Sequence, residues 1–216
     1  MRRAFLAAAL LAAVLLPPGA PAHYGTAKKG YRSRIIAVKP HETGLELKIL
    51  YGDDQIWLDN KTGKTIIIRG YSGEPYLRFG PDGIYVNGNS QAVYLNQDRY
   101  ARSPVPKSAT AKAKPQWQKL AGGELWAWHD HRIHYMSPTL PKLIQDAPRK
   151  PHHVFDWKVP ATANGKRFLI TGSLDYKPPP KNSFPVALAI VLATSIAVGM
   201  VGLFALRRVL LRSLEE

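Results

Sequence analysis

The stretch WAWHDHRIHYM, residues 126–136, places three imidazole side chains close together in the chain. They belong to His129, His131 and His134. Imidazole nitrogens are common ligands of copper and zinc, so the stretch is a candidate metal site. Successive side chains of a strand point to opposite faces, which would put His129 and His131 on one face and His134 on the other. Two imidazoles alone bind a metal weakly, so a third ligand is required.

The N-terminus predicts a signal peptide whose removal would supply that ligand. Two arginines precede an apolar run that is too short to cross a bilayer, and the run leads to the small-x-small cleavage signal Ala20-Pro21-Ala22. Cleavage there would remove residues 1–22 and leave His23 as the first residue of the mature chain. A terminal histidine offers its amino nitrogen and its ring nitrogen to the same metal ion.

Together with the His129 and His131 rings, His23 would complete a set of four nitrogens, which suits copper first and zinc second. His134 is the weaker candidate, because a strand would turn it away from the other two. The alternative is a packed seam without metal, in which the rings bond to backbone carbonyls or to Asp130.

A histidine exposed by signal cleavage, with a downstream His-x-His, resembles the copper site of the soluble subunit of particulate methane monooxygenase. Terminal-histidine copper sites also occur in periplasmic copper carriers and in lytic polysaccharide monooxygenases. The closing stretch FDWKVPATANGKRFLITGSLDY is similar in layout to the last two strands of the copper carriers. Where those carriers have a histidine after the turn, this chain has Lys166. The resemblance implies copper binding by His23, His129 and His131.

A broader resemblance covers the segments GYSGEPYLRFGPDGIYVN, YLNQDRY and WHDHRIHYMSP. They are similar to a family of uncharacterised actinobacterial proteins that carry a signal peptide and a C-terminal membrane anchor. This resemblance implies an exported and anchored protein, and it implies no activity.

Residues 185–206 form an uncharged apolar run, which predicts a transmembrane helix. At about 1.5 Å per residue the run spans roughly 33 Å, enough to cross the hydrocarbon core. Three arginines follow in the tail 207–216, and positive residues stay on the cytoplasmic side. We therefore expect a single-pass type I protein of the cell membrane, with its main domain, 23–176, extracytoplasmic and its C-terminus cytoplasmic. Three consecutive prolines make residues 177–184 a predicted stiff spacer.

The chain carries 30 Lys and Arg against 15 Asp and Glu, a formal net charge of +15, and it has no cysteine. The lack of cysteine excludes disulfides, thiolate metal sites and thiol nucleophiles. A basic exported domain has anionic lipid headgroups, an anionic wall polymer or a partner membrane protein as candidate partners, and its predicted location argues against nucleic acid. The alternative is that scattered lysines serve only solubility.

The main domain alternates apolar and polar residues in many short stretches, as half-buried strands do. In LELKIL, residues 45–50, the aliphatic residues face one way and the charged residues the other. The turn Gly80-Pro81-Asp82-Gly83 lies inside a strong hairpin signal. Seven or more such strands predict a mainly β, immunoglobulin-like β-sandwich, joined to one C-terminal transmembrane helix. Residues 101–116, rich in Pro, Lys and Ala, are predicted to be a mobile basic loop.

The sequence carries no hydrolase signature and no phosphate-binding glycine loop. It therefore predicts a membrane-anchored extracytoplasmic binding module and not an enzyme, with copper handling through His23, His129 and His131 as the first specific function. A structural or accessory cell-surface domain, which contacts a partner protein or an anionic wall polymer without metal, is the alternative. A copper oxygenase is the third candidate.

Overall fold

The computed structural model describes residues 30–179 and 186–212, and it divides into two units, Met1–Lys177 and Pro178–Glu216. The predicted signal peptide, 1–22, and the candidate ligand His23 lie outside the described residues. Within residues 30–179, ten strands form two antiparallel sheets. The strands are β1 (Tyr31–Lys39), β2 (Leu45–Leu50), β3 (Gln55–Asn60), β4 (Ile66–Arg69), β5 (Pro75–Gly80), β6 (Gly83–Asn87), β7 (Trp117–Ala121), β8 (Leu125–His129), β9 (His152–Ala163) and β10 (Lys166–Tyr176).

The larger sheet has the strand order β1-β10-β9-β4-β5-β6-β7, and the smaller sheet has the order β2-β3-β8. The mainly β prediction is confirmed, and the two antiparallel sheets are consistent with a β-sandwich. The predicted hairpin is confirmed as well, because β5 and β6 pair around the turn at Pro81 and Asp82. Short helices, α1 (Gln91–Leu95) and α2 (Lys142–Asp146), interrupt the strands.

The core of the first unit follows from the period of two in its strands. In β4, Ile66 and Ile68 are fully buried while Ile67 between them is partly exposed. Buried side chains of both sheets join one cluster, and the rings of Phe79 and Trp128 connect the sheets at a centroid distance of 6.1 Å. Each such side chain contributes about 1.5–3 kcal/mol when it leaves water, so this cluster holds the two sheets together.

Residues 101–116 contain no strand, as predicted, and form a run of turns and bends. Ala109 is only 1% exposed, so the segment packs against the domain at that point. Its predicted mobility stays a prediction.

The second unit contains one helix among the described residues, α3 (Val186–Arg212). Its large apolar side chains are exposed where they are described, for example Ile190 at 57% and Val198 at 72%. No helix within residues 30–179 and 186–212 is long and apolar enough to cross a membrane. The transmembrane helix predicted over 185–206 therefore gains no support here and stays a prediction.

A close approach of backbone and side chain in the core gives a test of the fold. A Cβ on Gly172 of β10 would lie 2.0 Å from Cζ2 of Trp157 and 2.3 Å from the carbonyl oxygen of Arg34. Trp157 cannot move away, because it is buried and its Nε1 donates to Ser33 Oγ at 2.8 Å. We expect Gly172→Ala to lower the free energy of unfolding by about 1–3 kcal/mol in denaturant titrations. Gly122→Ala is the matched control.

A Cβ on Gly122 meets no atom within 4 Å, so its substitution should change stability by no more than about 0.5 kcal/mol. Equal destabilisation by the two variants would show that the packing of Trp157 against β10 is not the constraint described here.

Candidate metal centre

Three chain segments meet at one end of the smaller sheet. Gln55 opens β3 and pairs with His129, the last residue of β8. The turn 51–54 and the segment 130–134 therefore leave the sheet at the same end. The loop that follows α1 joins them, because Arg99 forms ion pairs with Asp53 and Asp54 in the turn.

Asp130 ends β8 and starts a tight turn. Its fully buried carboxylate accepts hydrogen bonds from the Arg132 backbone N–H at 3.1 Å and from Trp128 Nε1 at 3.0 Å, and it pairs with the Arg132 guanidinium at 2.6 Å. Burial opposes the ionisation of Asp130, but the Arg132 charge and these hydrogen bonds outweigh it and lower its pKa. With Asp130 as N-cap, residues His131–Ile133 form a single 3₁₀ turn.

The 3₁₀ turn brings His134 back toward His129. The prediction that His134 points away from the other two rings is therefore wrong, because the strand alternation stops at His129. The ring centroids lie 5.0 Å apart for His129 and His131, 4.8 Å for His129 and His134, and 5.1 Å for His131 and His134. One candidate ligand atom from each ring lies within 4.8 Å of the other two, which makes a possible three-histidine metal site.

The spacing of these nitrogens is close to the spacing that a metal ion imposes. A tetrahedral ion with metal–nitrogen bonds of about 2.0–2.1 Å separates its ligand nitrogens by about 3.3 Å. Nε2 of His134 lies 3.1 Å from Nε2 of His129, so this pair already has that separation. The third ring needs to approach by no more than about 1.5 Å to complete the same geometry.

Oxygen atoms next to two of the rings indicate which nitrogens are free to coordinate. His129 Nδ1 lies 3.0 Å from Asp54 Oδ1, and His131 Nε2 lies 2.8 Å from the Asp98 carbonyl oxygen. Both oxygens only accept, so both nitrogens carry the hydrogen. The free lone pairs are then Nε2 of His129 and Nδ1 of His131.

The contact between His129 and His134 requires a proton between two nitrogens. Since Nε2 of His129 holds a lone pair, Nε2 of His134 must donate to it. A metal ion could accept both lone pairs only if the hydrogen on Nε2 of His134 moved to Nδ1 of the same ring, so that His134 would bind as its other neutral tautomer. Nδ1 of His134 is buried and has no hydrogen-bond partner among the described residues. The nearby backbone of Tyr135 acts to raise the pKa of the His134 ring, against the larger effect of burial.

Burial favours the uncharged form of His134 and His131. It lowers the pKa of His134 to about 3, with the Arg99 and His129 charges acting in the same direction. It also lowers the pKa of His131. Since metal ligands must be deprotonated, two of the three rings are ready to bind at neutral pH without losing a proton to solvent.

Two acidic residues, Asp53 and Asp54, lie beside the cluster. The Arg99 guanidinium lies 2.6 Å from Asp53 Oδ2 and 3.4 Å from Asp54 Oδ1, and the side chains of all three residues are buried. Burial raises the pKa of Asp53, while Arg99 acts in the opposite direction. Asp53, Asp54 and Arg99 therefore form one buried group of two acids and a guanidinium beside His129.

The backbone of His131 is fixed from the other side. Its N–H donates to the Tyr71 hydroxyl at 2.9 Å, and that hydroxyl donates in turn to Oδ1 of Asn96. Arg132 stacks over the Tyr71 ring at 5.1 Å and donates to the carbonyl oxygen of Arg69 at 2.9 Å. These contacts tie the 3₁₀ turn to the end of β4, so the His131 ring has a fixed position.

A cleft of about 730 Å³ opens beside the cluster, and His129 is the histidine that lines it. Polar side chains surround the cleft, among them Gln55, Gln97 and Arg102. The His129 side chain is 13% exposed, whereas His134 is 1% exposed. An ion arriving from solvent therefore reaches the His129 imidazole first.

Two other described histidines, His152 and His153, make contacts outside the cluster. Nε2 of His152 lies 2.8 Å from the Ala147 carbonyl oxygen, and His153 pairs with Asp156 and Asp175. The structure thus unites His129 and His131, as predicted, and adds His134 to them. Their relation to His23 stays a prediction.

Sequence reasoning missed Asp54, Arg99 and Asp53. Asp54 and Arg99 are separated by 45 residues along the chain, and no spacing rule connects them. The only local signal is the pair of acids in the turn Tyr51-Gly52-Asp53-Asp54 between two predicted strands.

No family model, curated protein or solved structure matches this chain. The resemblances noted in the sequence therefore stay predictions, and the site is interpreted from its own geometry.

The buried rings predict an acid-sensitive stability for the metal-free protein. In the unfolded chain a histidine titrates near pH 6.5, whereas His134 in the fold has a pKa of about 3. Between these values the unfolded chain binds a proton that the folded chain does not. Stability must therefore fall as the pH falls through this window, by up to about 1.4 kcal/mol per pH unit for one group.

Denaturant unfolding with a chelator present, from pH 7 to pH 4.5, measures this slope. We expect His134→Gln to flatten it, because the glutamine does not titrate, and His41→Gln, at an exposed position, to leave it unchanged. A slope that is the same in all three proteins would contradict the burial of a neutral ring at position 134.

Proposed function

We propose that this protein binds a transition-metal ion through His129, His131 and His134, and that copper is the ion it handles. The observation that carries the proposal is the 3.1 Å contact between Nε2 of His129 and Nε2 of His134, at metal-ligand spacing, in a cluster where burial favours the neutral form of His134. Neighbouring groups orient two of the three rings, as the outer groups of metal sites do.

The chemistry of the donors favours copper among the common metals. The three donors are neutral nitrogens, with no thiolate and no carboxylate among the coordinating atoms. Affinity for such a set follows the Irving–Williams order, in which Cu²⁺ lies above Zn²⁺. Zinc fits the same tetrahedral geometry with an open fourth position, so zinc is the competing ion in the test.

His129 at the edge of the cleft gives the ion a route in and out. A three-coordinate site beside a cleft leaves a position for an exogenous ligand, which is the arrangement that a binding and transfer site needs. We therefore propose binding and delivery of copper as the role, rather than catalysis.

His23 remains a proposed fourth ligand, and its position lies outside the described residues. The setting is also a proposal: an exported domain of the immunoglobulin-like class, anchored in the cell membrane by a C-terminal helix and facing outward. It rests on the two terminal segments of the sequence.

Metal titration of the full-length protein tests the histidine cluster. The metal-free protein is titrated with Cu²⁺ and, separately, with Zn²⁺ against a competing chelator, and visible absorption and electron paramagnetic resonance report nitrogen coordination. We expect one ion per chain, and a loss of affinity of about 100-fold or more for His129→Ala, His131→Ala or His134→Ala. The reason is that two imidazoles alone bind weakly.

His153→Ala is the matched control, because it removes a histidine that pairs with Asp156 and Asp175 outside the cluster. Unchanged copper affinity in all three cluster variants would overturn the site. Tighter binding of Zn²⁺ than of Cu²⁺ would overturn the choice of copper and leave the site standing. The role of His23 is tested with protein whose mass shows that it begins at His23. A lower copper affinity in its His23→Ala variant would identify His23 as a ligand.

The Asp54 carboxylate supports a separate prediction. It lies 3.0 Å from Nδ1 of His129, an ion-pair contact that favours the hydrogen on Nδ1 and leaves Nε2 free for the other rings. We expect Asp54→Asn to weaken copper binding about 10–100-fold, with the stoichiometry and the number of coordinated nitrogens unchanged. Asp53→Asn is the control, since Asp53 shares Arg99 but makes no hydrogen bond to His129. Equal losses in both variants would mean that charge, and not ring orientation, is what Asp54 supplies.

A further inference from the structure

The outer face of the larger sheet carries a cleft lined by cationic residues. Directly opposed residues of antiparallel strands point to the same face, and Lys39, Leu169 and Pro160 are opposed in register across β1, β10 and β9. Arg167 is opposed to Thr162, which is opposed to Ile67 of β4. Their neighbours Phe168, Ala161 and Ile68 are buried in the core, so this row faces outward.

These outward residues surround a cleft of about 540 Å³ that runs over four adjacent strands, β1, β10, β9 and β4. Lys39, Arg69 and Arg167 are its cationic residues. Pro160 and Leu169 give the cleft an apolar surface. The volume lies within the range of about 300–1,000 Å³ that is usual for ligand sites.

No acidic side chain neutralises the three cations. Lys39, Arg69 and Arg167 form no ion pair within residues 30–179 and 186–212. Glu74, which follows the lining residue Gly73, turns inward: its carboxylate is 3% exposed and accepts hydrogen bonds from Ser90 Oγ at 2.7 Å and Ser72 N–H at 2.9 Å.

The acids near this face make contacts of their own, and the exposed Asp156, two residues before Lys158, lies 3.4 Å from His153. Asp175 pairs with Arg34 at 3.0 Å, and Asp82 pairs with Arg78 at 3.0 Å. Lys158 adds a further cation on the same face, because it is opposed to Thr171, which is opposed to Ala37. The cleft is therefore a local excess of positive charge with no internal counterion among the described residues.

We propose that this cleft binds a linear polyanion, a chain that carries repeating phosphate or carboxylate groups. The backbone positions of the three cationic residues span three strand spacings, about 14 Å. This distance fits a row of several anionic groups better than a single anion. Arginine guanidinium groups bind phosphate and carboxylate through two parallel hydrogen bonds. The site is concave, so an extended chain fills it, whereas a flat bilayer surface meets only its rim.

The apolar strip formed by Pro160 and Leu169 lies between the cations. It gives the uncharged backbone of such a polymer a surface to pack against while its charged groups reach outward. The site is separate from the histidine rings, because none of them lines it, although Arg69 joins the two regions through its carbonyl oxygen, which accepts from Arg132.

Calorimetric titration of the full-length protein with long-chain sodium polyphosphate tests the proposal. Lys39→Glu combined with Arg167→Glu, both at exposed positions, should weaken binding at least 10-fold. It should also reduce the slope of log affinity against log salt concentration by about 1–2, because each lost cation no longer releases a counterion. Arg69→Gln alone should act in the same direction by a smaller factor.

Lys107→Glu combined with Lys112→Glu is the matched control, since it changes the net charge equally in the loop 101–116. A control that loses as much affinity as the cleft variant would overturn the proposal in favour of net charge. Inorganic orthophosphate that binds as tightly as polyphosphate would overturn it in favour of a single-anion site.

Vesicles of phosphatidylglycerol test the other source of anionic groups, which is a membrane surface. The cleft variant is expected to lose polyphosphate binding and to keep the vesicle binding of the unaltered protein. Loss of vesicle binding with polyphosphate binding unchanged would assign the face to a membrane surface and overturn the proposal. Unchanged binding of both probes would overturn it as well.

Discussion

The carboxylate of Asp130 is the constraint on which the histidine cluster depends. It is a fully buried charge, and it is tolerated only because Arg132 and the indole N–H of Trp128 surround it. Loss of one partner of such a pair costs about 3–5 kcal/mol, because the other charge is left buried and unpaired. This geometry ends β8 at His129 and turns the chain back within one 3₁₀ turn. Arg132 also reaches the Arg69 carbonyl oxygen, so the same side chain fixes the turn of the smaller sheet to the larger sheet.

Local patterns predicted the strands well, because each strand signal is written in consecutive residues. LELKIL became β2, and the Pro81 and Asp82 turn became the β5–β6 hairpin. The assignment of those strands to two sheets was not predictable in this way: β3 and β4 are neighbours in sequence, yet β3 joins the smaller sheet and β4 the larger. That choice depends on long-range pairing, such as Ile68 opposite Ala161, which no local pattern encodes.

The candidate site shows the same division. The His-x-His spacing identified His129 and His131, but strand alternation gave the wrong direction for His134. An Asp followed two residues later by Arg is a local signal for a capped turn, and it competes with the strand pattern of Trp126 to His129. Asp54 and Arg99 could not be found at all, since they reach the rings from segments far away in sequence. Candidate ligands that are neighbours in the chain can therefore be predicted from the sequence. The groups that orient them cannot, because they come from distant segments.

The electrostatics of the cluster decide which ions fit it. The Arg99 charge, which acts together with burial to lower the pKa of His134, also opposes any cation placed between the rings, and the Asp53 and Asp54 carboxylates act against that opposition. Hard cations such as Mg²⁺ and Ca²⁺ bind through charge and oxygen ligands, and this cluster presents neutral nitrogen instead. Affinity must come from coordination by imidazole lone pairs, which is strong for copper and zinc and weak for the hard ions. The cluster therefore selects an ion by donor type, because it presents imidazole lone pairs and not carboxylate oxygens.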